Sequence, residues 1–329
     1  MPAMRLIAGS GRSGTTWVLD ALAAANQLRP VFEPLNPYAS KIGSQYAHRA
    51  LAPGDQHPEL RKFFEDVCAG HRERLWTQYR RQWRWLFPPP ARVKTLAGVS
   101  LLRRRWVKFV AEAPALAMMA TKRDPIVKCI WSNLMLSWLA KQFDCQIVLI
   151  VRHPGAVIES ELRNDWDAKF ALERFRTDDR LHELTNGRYS ELLGRQLTPV
   201  EGLTVRWLIE NQPIIETAPA GGVTIVHYER LRSSADLAWE QIRKLFELQR
   251  TPDAAILARP SQQSFERKAA VDAHDARQPR WQRELTSEQM SQIQNVLDKS
   301  SFELYSVNDP NPRDLLYGAT QAGAVDVAR

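Results

Sequence analysis

At 329 residues, with 44% hydrophobic and 25% charged side chains, the chain can bury one large core and has ordinary globular composition. A formal charge of +8 favours anionic ligands without naming one. Cys68, Cys129 and Cys145 show no CxxC spacing, and the histidines form no HExxH pattern, so neither a disulfide framework nor a metal site is expected. The longest mild apolar stretch, Val107 to Ala120, is broken by Lys108, Glu112 and Pro114, too short and charged to span a bilayer. No signal peptide fits the start. A cytoplasmic protein is expected, with peripheral contact at the inner membrane face as a variant.

In chain order, Leu6-Ile7-Ala8 reads as a short buried strand. The turn Gly9-Ser10-Gly11-Arg12-Ser13-Gly14-Thr15-Thr16-Trp17 follows, and then a helix to about Ala25. Strand, glycine-rich turn and helix start place unpaired backbone N–H groups at the positive end of a helix dipole, with Arg12 and the hydroxyls of Ser13, Thr15 and Thr16 beside them. That is an anion cradle, and phosphate is the expected anion. Arg29 to Phe32 reads as a second strand, closed by Glu33-Pro34-Leu35-Asn36-Pro37. Residues 38–70 look irregular and partly helical.

Residues 71–109 hold eleven Lys or Arg against one acid, Glu73. Aromatic and leucine residues recur there at helical spacing until Pro88-Pro89-Pro90. Three readings stand: a helix laying its aromatic face on the core, a lid touching an anionic acceptor or membrane headgroup, and a nucleic-acid surface. No nucleic-acid module is recognisable, so no nucleic-acid partner is expected. Leu116 to Thr121 reads as a third strand. Asp124 and Pro125 are expected to cap and open a helix to about Phe143, with Ile130, Leu134, Trp138 and Leu139 on one side. Gln146 to Val151 is a central parallel strand, ending at Arg152-His153-Pro154 before a helix that includes Ser160. Residues 164–199 look polar and irregular. A helix from Thr198 to Thr217, a strand from Val223 to His227, and helices near 234–248 and 286–299 complete one domain over 1–308, with a loose tail over 309–329. The alternation argues for an α/β fold, P-loop-like and three-layered, with a central parallel sheet flanked by helices. Ligands then sit at the carboxyl ends of the strands, where Gly9, Arg152 and Tyr228 fall.

The loop fits three patterns. Gly9-x-Gly11-x-x-Gly14 matches a dinucleotide fingerprint, with Glu33 near the ribose-binding position. Gly9-x-x-x-x-Gly14-Thr15-Thr16 matches a P-loop, except that Thr15 replaces the phosphate lysine. Arg12 to Trp17 also resembles, position for position, the Lys/Arg-Ser-Gly-Thr-Thr-Trp loop of sulfotransferases that use 3′-phosphoadenosine 5′-phosphosulfate (PAPS). Downstream, the Arg152–Ser160 spacing resembles that family's 3′-phosphate site, and a guanidinium and a hydroxyl can converge on one phosphate.

The resemblance, of a bacterial type and extending to carbohydrate and tyrosylprotein sulfotransferases, implies a PAPS-dependent enzyme of the same α/β fold, with PAP as product. It implies cofactor binding by Gly11, Arg12, Ser13, Gly14, Thr15, Thr16, Trp17, Arg152, Ser160, Tyr228 and Ser264, with Ser261 as the alternative to Ser264. Glu33, in Val31-Phe32-Glu33-Pro34-Leu35, would be the catalytic base; His48, His57 and His71 are the histidine alternatives. Arg12 would neutralise charge on the bridging oxygen, and Lys122 or Arg123 would stabilise the sulfuryl group. Trp17 is either an adenine platform or core. The acceptor would be a hydroxyl on a carbohydrate, glycolipid or small metabolite. The rival readings are a P-loop phosphotransferase and a non-catalytic module binding polyanions or membranes.

Overall fold

The structure, a computed structural model, describes residues 4–71, 123–233, 235–259 and 279–313. The basic segment beyond His71, the strand expected at 116–121, Lys122, Ser261, Ser264 and the tail from 314 lie outside the described residues.

Five strands form one all-parallel sheet: β1 (Met4–Ala8), β2 (Arg29–Phe32), β3 (Pro125–Lys128), β4 (Cys145–Val151) and β5 (Val223–His227), in the order β2-β3-β1-β4-β5. β1 is central, with Leu6 opposite Val127 on one side and Ile147 on the other. Its alternate residues divide the core. Leu6 and Ala8, with Ile147, Leu149 and Val151 of β4, face one helical layer. Ile7, Val148 and Ile150 face the other, formed by α1 (Thr15–Asn26) and the helix Ala235–Leu245. Burial on both faces explains the nearly continuous apolar sequence of β4. The three-layer α/β expectation holds.

One expected helix is corrected. Pro125–Lys128 is a strand, and helix begins only with a 3₁₀ turn at Asn133–Met135, leading into a helix over Leu136–Gln142. Proline opens the strand, where its missing N–H costs no ladder bond. The β-branched Ile126 and Val127 are buried between β2 and β1, and Asp124 supplies a carbonyl to Arg29 N–H at 2.9 Å instead of a helix cap. Residues 164–199 also carry more helix than expected. α2 (Pro154–Leu162) is followed by α3 (Lys169–Arg176) and two shorter helices to Gly194; Leu172, Phe175 and Leu181 turn into the core. α4 (Pro199–Gly221) opens with a capping box between Thr198 and Glu201. α5 (Tyr228–Ser233) follows β5 directly.

Candidate active site

The Gly9–Trp17 loop leaves β1 at the carboxyl edge of the sheet, beside the end of β4. Gly9 has φ +145, and a Cβ there would come within 2.5 Å of the Ile150 carbonyl oxygen. Gly14 has φ +90, and its Cβ would fall 2.4 Å from the Tyr228 ring. Only glycine permits both approaches. The turn is pinned from beneath: Asn133 Oδ1 accepts from Gly9 N–H at 3.2 Å, Asn211 donates to Ser10 Oγ at 2.8 Å, and Ser13 donates its hydroxyl to Ser10 C=O at 2.6 Å. Ser13 and Thr15 are buried, so they shape the loop, whereas Thr16 keeps some exposure. No side chain caps α1. The amides of its first turn are therefore left for solvent or an anion at the positive end of the dipole.

Two arginines converge here. Arg12, itself at φ 62, donates from Nε to Ser160 Oγ at 2.9 Å. Arg152 donates to the Arg12 carbonyl at 2.9 Å and lies 4.6 Å over the Tyr228 ring. The two motifs are thus joined, and Ser160 meets Arg12 rather than Arg152. Burial lowers the Arg12 pKa, and Arg152 and Arg163 push it the same way, against Glu161 and Glu159. A bound anion would relieve that like-charge crowding. Tyr228 opens α5 and forms one wall. Trp17 is 9% exposed, packs edge-on against Tyr228 and Trp239, donates to Leu257 C=O at 3.3 Å, and carries Arg232 over its ring at 5.6 Å.

At the same edge of the sheet, Glu33 follows β2 at φ 49, buried in an ion pair with Lys128, the last residue of β3, which lies between β2 and β1. Glu33 Oε2 also accepts Ile130 N–H at 3.0 Å. Burial raises the Glu33 pKa, while Lys128 and the two hydrogen bonds pull it back. Lys128 is a residue that the sequence reading missed. Its signal was a lysine closing an apolar strand, the same signal that marked Arg152. Arg123 is displaced from the site. It is exposed just before β3, at the amino edge of the sheet where Arg5 pairs with Asp124 at 3.4 Å. In a parallel sheet, residues before a strand emerge on the edge opposite to those that end it. Of the histidines, His57 contacts the Tyr46 hydroxyl at 3.2 Å and His71 lies 3.9 Å from Asp66. His48 is buried against Trp131.

Four further residues fix the start of α2. Glu229 accepts His153 N–H at 2.8 Å and the Tyr305 hydroxyl at 3.1 Å. His153 stacks on Trp281 at 4.2 Å, and burial lowers its pKa to about 4.

Under the loop lies a buried polar network. Arg206 pairs with Glu161 and sits 3.7 Å from Glu210, which also meets His48 at 3.3 Å and the Ser10 hydroxyl. Burial takes the Glu210 carboxyl up to about 7, and burial with Arg206 and Arg174 takes His48 down to about 3. The contact therefore joins a neutral imidazole to a carboxyl that titrates near neutrality, not two full charges. Between its unfolded value of 4.5 and about 7, Glu210 holds a proton in the folded chain that the unfolded chain has lost, so its contribution to stability falls as pH rises. His48 acts oppositely: below 6.5 the unfolded chain gains a proton that the fold refuses. Glu210→Gln is expected to remove the first of these pH dependences alone. In thermal melts from pH 5 to 8, the variant should gain on wild type as pH rises, by roughly 3 kcal/mol over the full window; parallel curves would refute the assignment.

No family model matches the chain, and no curated protein matches it. Among solved structures, it is similar to the sulfotransferase domain from the curacin biosynthetic pathway, at 16% identity and TM-score 0.41, over 93% of this chain and 99% of that one. It is also similar to the sulfotransferase domain from the Synechococcus PCC 7002 olefin synthase, at 18% identity and TM-score 0.42, over 92% and 95%. Both neighbours are sulfotransferase domains. Among the described residues, no helix is long and apolar enough to cross a membrane, and no group of three or more His, Cys, Asp or Glu could hold a metal.

Proposed function

We propose that the chain is a sulfotransferase that takes PAPS as donor and passes its sulfuryl group to a hydroxyl acceptor, with a carbohydrate or glycolipid as the leading acceptor class. The observation that carries this reading is the convergence of Arg12, Arg152 and the uncapped start of α1 on one glycine-walled loop. The fit is good: a cradle with two guanidinium groups and open helix amides suits a donor with phosphate at both ends. When bound, PAPS supplies an activated sulfur whose bond to the bridging oxygen breaks as the bond to the acceptor oxygen forms, leaving PAP.

In this reading, Arg12 and the first-turn amides of α1 hold the phosphosulfate end and oppose charge growing on the leaving oxygen. Arginine stays protonated, so Arg12 acts electrostatically. Arg152 and Ser160 hold the 3′-phosphate. Glu33 takes the acceptor proton, a contribution of ~10²–10⁴-fold for a positioned base; its buried setting makes the carboxylate more basic. Lys128, ion-paired with that base, takes the part that the resemblance gives to Lys122 or Arg123.

The deciding experiment is calorimetric titration with PAP of wild type and Arg152→Ala. Micromolar binding by wild type, weakened at least ~100-fold in the variant, is expected from loss of a charge-assisted phosphate contact. No heat from folded wild type at millimolar PAP would overturn the reading.

A further inference from the structure

We infer that the acceptor carries an anionic group, a carboxylate or phosphate, held by Arg49 and Arg174 at the far end of an aromatic wall that starts at Glu33. The inference rests on the sulfotransferase reading and adds the acceptor's chemistry to it.

The wall is traced by contacts. Ile130 N–H holds Glu33, and the next residue, Trp131, packs edge-on to Phe170 with ring centroids 6.3 Å apart. On the other side of Glu33, its carbonyl accepts Asn36 N–H, and Asn36 Oδ1 accepts Tyr38 N–H at 2.9 Å. This presents Tyr38, 83% exposed, beside Phe170 at 6.3 Å. Trp166, 39% exposed, stands over Gly11 of the loop. Exposed aromatic faces next to a catalytic centre suit an acceptor body with a flat apolar side, such as a sugar ring.

The two arginines mark the end of this wall. The Arg174 guanidinium lies 5.5 Å over Phe170, and its pKa is lowered by burial and by the like charge of Arg49. Each arginine spends one donor on a carbonyl of the Lys41–Tyr46 helix: Arg174 on Ser44, and Arg49 on Gln45 at 3.4 Å. A guanidinium has five. Among the described residues, neither has a carboxylate within ion-pair distance. The acid that acts on Arg174, Asp178, has both oxygens committed to backbone, Oδ2 to Ala50 N–H at 2.9 Å and Oδ1 to Leu181 N–H at 3.3 Å. His48 behind them is neutral. Two adjacent guanidinium groups without a counter-anion complement a carboxylate or phosphate.

The test uses PAP-saturated protein titrated calorimetrically with methyl glucoside, methyl glucuronide and glucose 6-phosphate, in wild type and in Arg49→Gln/Arg174→Gln. At least one anionic sugar is expected to bind about tenfold or more tighter than the neutral glucoside. The double variant should lose that preference while its PAP affinity is unchanged. Which anionic sugar wins separates carboxylate from phosphate. Tyr38→Ala should weaken neutral and anionic sugars alike. Equal binding of all three, a preference that survives the double variant, or no anionic binding at tens of millimolar would overturn the inference while PAP binding leaves the parent reading standing. Failure of wild type to bind PAP would remove both.

Discussion

Lys128→Met should cost about 3–5 kcal/mol of stability, because it leaves the Glu33 carboxylate buried and unpaired. Both partners are almost inaccessible, at 4% and 3% side-chain exposure, so solvent cannot replace the lost ammonium. The sign at Glu33 follows from the same contact. Its pKa is already raised by burial, and loss of the Lys128 pull raises it further. The variant should therefore hold a protonated Glu33 to higher pH and lose base catalysis there. Glu33→Gln/Lys128→Met should recover most of the stability, since a neutral pair has little desolvation to offset, but recover none of the turnover. Urea denaturation of the three proteins, with turnover of labelled PAPS, separates the effects. If Lys128→Met alone were as stable as wild type, the ion pair would not be the buried contact described here.

Arg12→Gly should separate stability from activity in the opposite direction. Arg12 is a non-glycine residue at φ 62, a conformation that costs of order 1 kcal/mol outside glycine, and its guanidinium is crowded by Arg152 and Arg163. Removing side chain and strain together should leave the melting temperature unchanged or higher. Turnover should fall ~10²–10³-fold, as expected for losing one donor to charge that develops in the transition state. Ser160→Ala, which frees Arg12 without deleting it, should have a milder effect. A variant that melts much lower than wild type would show that Arg12 holds the fold, not the chemistry.

The anion-loop half of the candidate site was legible because its residues follow the strands that carry them. Gly9–Trp17 after β1 and Arg152 after β4 are local signals, and chemistry at the carboxyl edge of a parallel sheet follows from topology. The surroundings of Glu33 were harder to read. Lys122 and Arg123 drew attention through a short resemblance, yet the Pro125–Lys128 strand puts Arg123 on the opposite edge. Periodicity over Ile130, Leu134, Trp138 and Leu139 suggested one helix from Pro125 onward, and only the pairing of Pro125–Lys128 with β1 and β2 decides for a strand there. Lys128 became visible once Glu33 and β3 were neighbours in space, 95 residues apart in sequence. The buried Glu161, Arg206 and Glu210 network lay on helices with no motif, and no spacing rule finds it. The two arginines beyond Phe170 were hidden for the same reason.

The strand order also sets a timetable for synthesis. Of the five strands described, β1 is made first, yet it is the middle of the sheet, and its partners begin at Pro125 and Cys145. At ordinary translation rates, of roughly 5–20 residues per second, both edges of β1 wait on the order of ten seconds for their partners. During that interval Leu6 and Ile7 have no sheet to join, so the nascent chain presents an apolar strand that needs shelter. The anion loop, hung between β1 and β4, can take shape only after that wait ends.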